Sequence, residues 1–364
     1  MSATSGDGPP QAGSGPHPAV QPAGDGPRQA GSGPHPAVQP AGDGPRPSVE
    51  GPQLVTIGES LARLEGPVVG PLRHARSLDL GVAGAESNVA IGFRRLGGSA
   101  AWVGRVGEDE FGRLIQMTLA GQGIDVGHVI VDPAAPTALL IKERRTGRLT
   151  RVQYYRSGSA GSRLSPQDVP EDLIRRARVL HVTGITAALS YGAHAAVHAA
   201  IDTARAAGVP VSLDLNFRRA LWTPAEAGAR LKPLVMRSDV VFATEVEARL
   251  VTGGADASAL AAGLAALGPR EAIVKRGALG AVACCDGDLY DEPALPVETI
   301  DPVGAGDAFA AAYLAERVLG RRIPERLAAG ACAGAYAVTV QGDWEGLPSR
   351  EDLILMRATD DVVR

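Results

Sequence analysis

Asp301-Pro302-Val303-Gly304-Ala305-Gly306-Asp307-Ala308-Phe309-Ala310-Ala311-Ala312-Tyr313-Leu314 is the most informative stretch of the chain. Two glycines around Ala305 let the backbone turn its N–H groups toward one point, and the Ala-rich run after Asp307 is a strong helix former. Those N–H groups therefore sit at a helix N-terminus, which is a site for an anion. A carboxylate in the same place would repel a resting phosphate, unless Asp307 takes a proton from a group attacking that phosphate. Capping of the helix is the plainer role for the same Asp. Other glycine-rich loops fit poorly. Residue 309, where a dinucleotide fingerprint wants its third Gly, is Phe, and no GxxxxGK followed by Ser or Thr occurs.

Outward from this loop, short apolar runs alternate with helix-forming stretches. Leu54-Val55-Thr56-Ile57-Gly58-Glu59 reads as a buried first strand closed by Gly. Further strands are expected over 100–103, 179–182, 211–214, 240–243 and 272–275, with helices over 110–121, 194–207 and 257–267. Strand then helix, repeated, implies parallel pairing by crossovers, with helices covering a twisted sheet. Residues 63–82 and 136–157 break this rhythm by alternating polar with apolar, the second as a hairpin about Thr146-Gly147. Together they suit a small antiparallel sheet, either a lid near the strand ends or solvent-side decoration.

Several side chains stand out as ligand candidates. Small residues precede Glu86, Ser87 and Asn88 at the start of a helix, an arrangement that suits a polyhydroxylated ligand, although any helix N-terminus favours Ser and Asn. Tyr154 and Arg156 lie two apart on an expected strand and so share a face. Asn216, Phe217 and Arg218 follow a strand, where α/β sheets place ligand loops, and the fork of Arg218 matches phosphate or carboxylate. Lys275-Arg276-Gly277-Ala278-Leu279-Gly280 closes another strand with a Gly-bounded turn, in a chain with three Lys against 33 Arg.

Composition sets the outer bounds. Residues 1–52 hold 11 Gly and 12 Pro and no Leu, Ile or aromatic residue, so their burial cannot offset the entropy of ordering. Within them, 11–28 recur unchanged at 29–46, a repeat with no faces to stack, and a disordered tail is expected. Residues 53–364 are long enough for one large α/β domain with an appendage. A formal charge of −4 gives no footprint for nucleic acid or an anionic membrane surface, and no run approaches the roughly 18 apolar residues that span a bilayer. With neither basic nor apolar leader after Met1, a cytoplasmic protein is expected. Cys284, Cys285 and Cys332 form no disulfide framework or metal pair and are expected to fill core.

The segments 83–107 and 301–314 resemble the two signatures of the ribokinase-like (PfkB) carbohydrate kinases, and the resemblance covers 54–350. Within that family, residues 154–162, 181–186, 214–218 and 342–346 are most similar to 2-keto-3-deoxygluconate kinases. The resemblance implies a three-layer α/β/α fold with a mostly parallel central sheet and a small antiparallel β lid, over 53–364. It implies ATP and Mg²⁺ as cofactors and phosphorylation of a sugar acid at its terminal hydroxyl. Asp307 is then the catalytic base, and the amides of Gly304, Ala305 and Gly306 hold charge on the transferred group. Substrate binding falls to Ala83, Gly84, Ala85, Glu86, Ser87 and Asn88, with Tyr154, Arg156, Arg218, Asp307 and Asp343. ATP binding falls to Asn216, Phe217, Arg218, to Lys275, Arg276, Gly277, Ala278, Leu279, Gly280, and to the Gly304–Gly306 loop. Glu247 is the expected metal ligand, through water. The chain departs from the family pattern at Thr244, where Asn is usual, at Leu140, where the nearest kinases carry a substrate-touching Tyr, and at Ala331, in place of an Asn near the nucleotide. A small-molecule partner is expected, with no nucleic acid and no membrane, and the lid strands are a candidate surface for a second copy. A ribose- or fructose-type kinase, or a sugar sensor without turnover, are the alternative readings.

Overall fold

The computed structural model describes residues 51–146 and 149–357. The expected tail over 1–52 lies outside them apart from Gly51 and Pro52, as do Gly147 and Arg148 of the expected hairpin turn. The described residues fall in one unit.

Fourteen strands occur among the described residues: β1 (Leu54–Ile57), β2 (Leu61–Glu65), β3 (Asp79–Ala83), β4 (Ala100–Val103), β5 (Arg105–Gly107), β6 (Ile130–Asp132), β7 (Leu139–Arg144), β8 (Thr150–Tyr155), β9 (Val179–Thr183), β10 (Val211–Asp214), β11 (Val240–Thr244), β12 (Glu271–Lys275), β13 (Ala281–Cys285) and β14 (Asp288–Glu292). Eight build the central sheet in the order β14-β13-β12-β11-β10-β9-β1-β4. Pairing is parallel from β4 to β12, and β13 and β14 return antiparallel at one edge. That edge is unforeseen above, though Asp286-Gly287 carried its signal: both residues have positive φ, +49° and +95°, as a two-residue hairpin turn demands.

The sheet is apolar on both faces, and its period-2 alternation divides one strand between two cores. Val55, Ile57, Ala101, Val103, Leu180 and Val182 join one core, with the helices Tyr191–Ala206, Pro224–Val235 and Ala257–Ala265 over it. Leu54, Ala100, Trp102, Val179, Phe242 and Ile273 join the other, under Ala85–Arg95, Glu110–Gly121, Ala305–Val318 and Ile323–Ala337. The result is a three-layer α/β/α fold. The three cysteines are buried in these cores and unbridged.

The two rhythm-breaking segments combine into a four-stranded sheet, β3-β2-β7-β8. Each hairpin is antiparallel, β2 with β3 and β7 with β8, and the two join through parallel pairing of β2 with β7. The hairpins enter at separate points of the chain, with the helices Ala85–Arg95 and Glu110–Gly121 and the strands β4, β5 and β6 between them. β5 and β6 form a further two-stranded parallel piece. No helix among the described residues is long and apolar enough to cross a membrane.

Candidate active site

A cavity of about 820 Å³ lies where the C-terminal ends of the parallel strands meet the small sheet. Crevices at these strand ends are where open α/β sheets bind ligands. One wall is the loop ahead of the helix Ala305–Val318. Gly304 caps that helix at φ +79°, and a Cβ there would stand 2.2 Å from the Asp343 carbonyl oxygen, so the loop closes only around glycine. Gly304, Ala305, Gly306 and Asp307 all line the cavity.

Asp307 sits in the first turn of this helix and accepts a hydrogen bond of 2.8 Å from Asn88 Nδ2. Burial pushes its pKa up to about 7; the Asn88 bond opposes the shift, Asp214 adds to it, and Lys275 and Arg218 draw it back. Asn88 thus aims the carboxyl group as well as lining the cavity, and its Oδ1 has no protein partner. Across from Asp307, Lys275 at the end of β12 donates to Asp214 Oδ2 at 2.5 Å, from the end of β10. Burial disfavours the Lys275 ammonium, but Asp214, Glu247 and Asp307 outweigh it and raise its pKa. The ammonium is held 3.2 Å from where a Gly306 Cβ would stand.

The small sheet supplies the other side. Tyr154 and Arg156 line the cavity together with Leu140 and Lys142. The Arg156 guanidinium stacks on the Tyr154 ring, 4.8 Å from its centroid, and binds Glu59 Oε2 through Nε at 2.8 Å and through Nη2. Glu59 is fully buried and also accepts from Ser159 Oγ at 3.0 Å; burial raises its pKa against the pull of Arg156. Asp343 lines the cavity while its carboxylate binds Arg63 of β2 at 2.8 Å, and Arg63 reaches Glu345 at 2.6 Å. Burial raises the pKa of Asp343 although Arg63 opposes it.

Two residues expected to touch substrate lie behind the wall instead. Ala83, Gly84, Ala85 and Asn88 line the cavity; Glu86 and Ser87 do not. Glu86 is fully buried and accepts from the hydroxyls of Thr183 at 2.7 Å and Thr186 at 2.5 Å, and burial raises its pKa. Ser87 Oγ is bonded to Ser60 and to the Gly84 carbonyl. Helical geometry explains the split: when Ala85 and Asn88 face the cavity, the positions between them turn to the core.

The expected nucleotide residues divide in the same way. Asn216, Arg218, Gly277, Ala278 and Gly280 line the cavity, as do Ala331 and Thr244. Phe217 packs on the core beneath, Arg276 pairs with Asp291 outside, and Leu279 is exposed to solvent. A tight turn alternates its side chains between ligand and solvent, so only part of a contiguous motif faces inward. Glu247 lines the cavity and accepts from the backbone amides of Phe217 at 2.8 Å and Thr244 at 2.7 Å. Thr244 caps the helix Glu245–Val251 through a reciprocal box with Glu247, which fixes the carboxylate without an Asn. Among the described residues no group of three His, Cys, Asp or Glu could hold a metal. A lone carboxylate fits an ion that keeps its water and phosphate ligands, as Mg²⁺ does.

Asp214, Glu59, Lys142 and Arg63 carry no site role in the sequence reading, and all four are buried charges engaged by partners far along the chain. Asp214 carried one signal, a charge closing an apolar strand; the others look like ordinary strand residues.

Residues 52–350 match the pfkB family of carbohydrate kinases. The chain is 40% identical over 311 residues to the 2-dehydro-3-deoxygluconokinase of Thermoproteus tenax, covering 84% of this chain and 94% of that protein. It is 36% identical over 293 residues to the 2-dehydro-3-deoxygalactonokinase of Haloferax volcanii, covering 80% and 92%. Among solved structures, a candidate ribokinase II from E. coli in complex with ATP and Mg²⁺ superposes with a TM-score of 0.78 at 27% identity, covering 84% of this chain and 98% of that one. The overall fold is thus shared, and the chain belongs to the pfkB family of carbohydrate kinases.

Proposed function

We propose that this chain transfers the γ-phosphoryl group of ATP to the terminal C6 hydroxyl of 2-keto-3-deoxygluconate (2-dehydro-3-deoxygluconate), giving the 6-phosphate. The observation that carries the reading is Asp307, its carboxyl group in the cavity wall at the glycine-capped helix start, in the same cavity as Arg156 and Tyr154. The gluconokinase name of the T. tenax relative supports the sugar acid.

In this reading the sugar acid lies under the small sheet, which acts as a lid and excludes water. Nε and Nη2 of Arg156 are spent on Glu59, which fixes the guanidinium; its remaining edge pairs with the substrate carboxylate. The terminal hydroxyl then meets Asp307, which takes its proton as the sugar oxygen bonds to phosphorus and the bond from phosphorus to the ADP oxygen breaks. The amides of Gly304, Ala305 and Gly306 and the helix dipole face the charge that builds on the moving group. Lys275, Asn216 and Arg218 bind the nucleotide phosphates, and Gly277, Ala278 and Gly280 let the backbone approach them. Glu247 would hold the water shell of a Mg²⁺ ion, which would offset the charge of the nucleotide phosphates. We place the reaction in the cytoplasm, where ATP is supplied.

ADP release with Mg-ATP and a panel of sugars and sugar acids tests the reading. The highest kcat/KM is expected with 2-keto-3-deoxygluconate, and Arg156→Ala should lower it about 100-fold for sugar acids and less than about threefold for neutral sugars. Equal losses on both types, or preference for a neutral sugar, contradict the substrate assignment.

A further inference from the structure

Asp214 lies outside the roles assigned above, yet it lines the cavity beside Lys275 and Asn216. It is 3% exposed, ends β10, and faces the cavity. Its Oδ2 accepts from Lys275 Nζ at 2.5 Å and its Oδ1 from the Asn216 amide at 3.3 Å, so the carboxylate is held at both oxygens. Asn216 adopts φ +39°, left-handed backbone that a non-glycine residue enters at a cost, and that turn brings its amide back onto Asp214. A strained turn that fixes one carboxylate, which in turn fixes one lysine, is more than neutralisation of a buried charge requires.

The lysine so fixed stands at the reacting centre. Its Nζ lies 3.2 Å from where a Gly306 Cβ would stand, directly against the loop that faces the moving phosphoryl group. It is also 6.0 Å from the centroid of the Phe242 ring, which walls it from below. A free Lys side chain carries much rotamer entropy, and a preplaced ammonium has lost that freedom before the nucleotide arrives. One of its three N–H groups is taken by Asp214, which leaves two for phosphate oxygens.

We propose that Asp214 is a positioning residue for phosphoryl transfer: its ion pair holds the Lys275 ammonium against the Gly306 face of the anion loop, where charge builds on the transferred group. The inference rests on the kinase reading above and says nothing about which sugar is phosphorylated. Asp214 touches neither sugar nor phosphate in this scheme and acts through Lys275; its charge also adds to the raised pKa of Asp307, so kcat is read on the pH plateau well above 7, where that shift leaves Asp307 deprotonated in every variant.

A double-mutant cycle tests it, run with whichever acceptor of the sugar panel turns over, so that a failed sugar-acid assignment leaves the cycle readable. Asp214→Asn is expected to lower kcat about 100-fold and to leave the sugar KM within about threefold. Lys275→Met should lower kcat at least as much. In the Lys275→Met background, Asp214→Asn should change kcat by less than about threefold, because nothing is left to position. Independent losses that multiply to about 10⁴-fold, or an unchanged kcat in Asp214→Asn, overturn the proposal. Thermal midpoints of all variants are read alongside. If Asp214→Asn does not fold, the cycle is run with Asp214→Glu, which keeps the charge and displaces it by one methylene; the same loss of effect without Lys275 is expected.

Discussion

In the proposed reading Asp307 can serve as the base because its surroundings oppose the charged carboxylate without abolishing it. Burial lifts its pKa to about 7, and its charged neighbours on other elements are Asp214, which adds to the rise, and Lys275 and Arg218, which restrain it. A base must be deprotonated to accept the hydroxyl proton, so kcat/KM should rise with pH, level off above about 7, and fall about tenfold per unit below it. A pH-rate profile checks this; an acid limb near the ordinary carboxylate value of about 4 contradicts it. Asp307 and its glycines were legible in the sequence because their chemistry is local to one loop. The partners that tune them were not. Asn88 lies 219 residues from Asp307 in the chain, Glu59 lies 97 from Arg156 and Asp214 lies 61 from Lys275, and no spacing rule connects such pairs.

At the scale of elements, the small sheet is tied to the anion loop by buried charges. Lys142 of β7, 1% exposed, pairs with Asp301, whose carboxylate also accepts from the Val303 and Gly342 amides. Arg63 of β2 binds Asp343, whose backbone packs on Gly304. Removing one partner leaves the other buried and unpaired, so Lys142→Met should lower stability by about 3–5 kcal/mol, seen as a lower thermal midpoint. A midpoint unchanged within error would show that Asp301 does not depend on Lys142. The core strands were legible because apolar runs and helix stretches follow the periods of their elements; the expected 100–103 and 211–214 strands match β4 and β10 end to end. The two hairpins were visible as alternating segments. Their joining edge was not, since the parallel register of Arg63 with Leu140 depends on how the crossovers bring separate stretches together.

At the scale of the whole molecule, the eight-stranded sheet fixes Asp214 and Lys275 at its strand ends, and the helix Ala305–Val318 brings Asp307 to meet them. The small sheet closes the cavity from the side that carries Tyr154 and Arg156. In the proposed reading the large sheet serves phosphate and the small sheet serves the sugar. In the same proposed reading Asp307 takes the proton of a sugar-acid hydroxyl as phosphorus is transferred. Phosphorus NMR of the full chain with Mg-ATP and 2-keto-3-deoxygluconate tests it most directly, beside the Asp307→Asn variant and a calorimetric check of its nucleotide binding. The wild type should build a phosphomonoester signal coupled to two methylene protons, while Asp307→Asn binds nucleotide and transfers at least about 10³-fold more slowly. No such signal from the wild type, or an undiminished rate in Asp307→Asn, contradicts the claim.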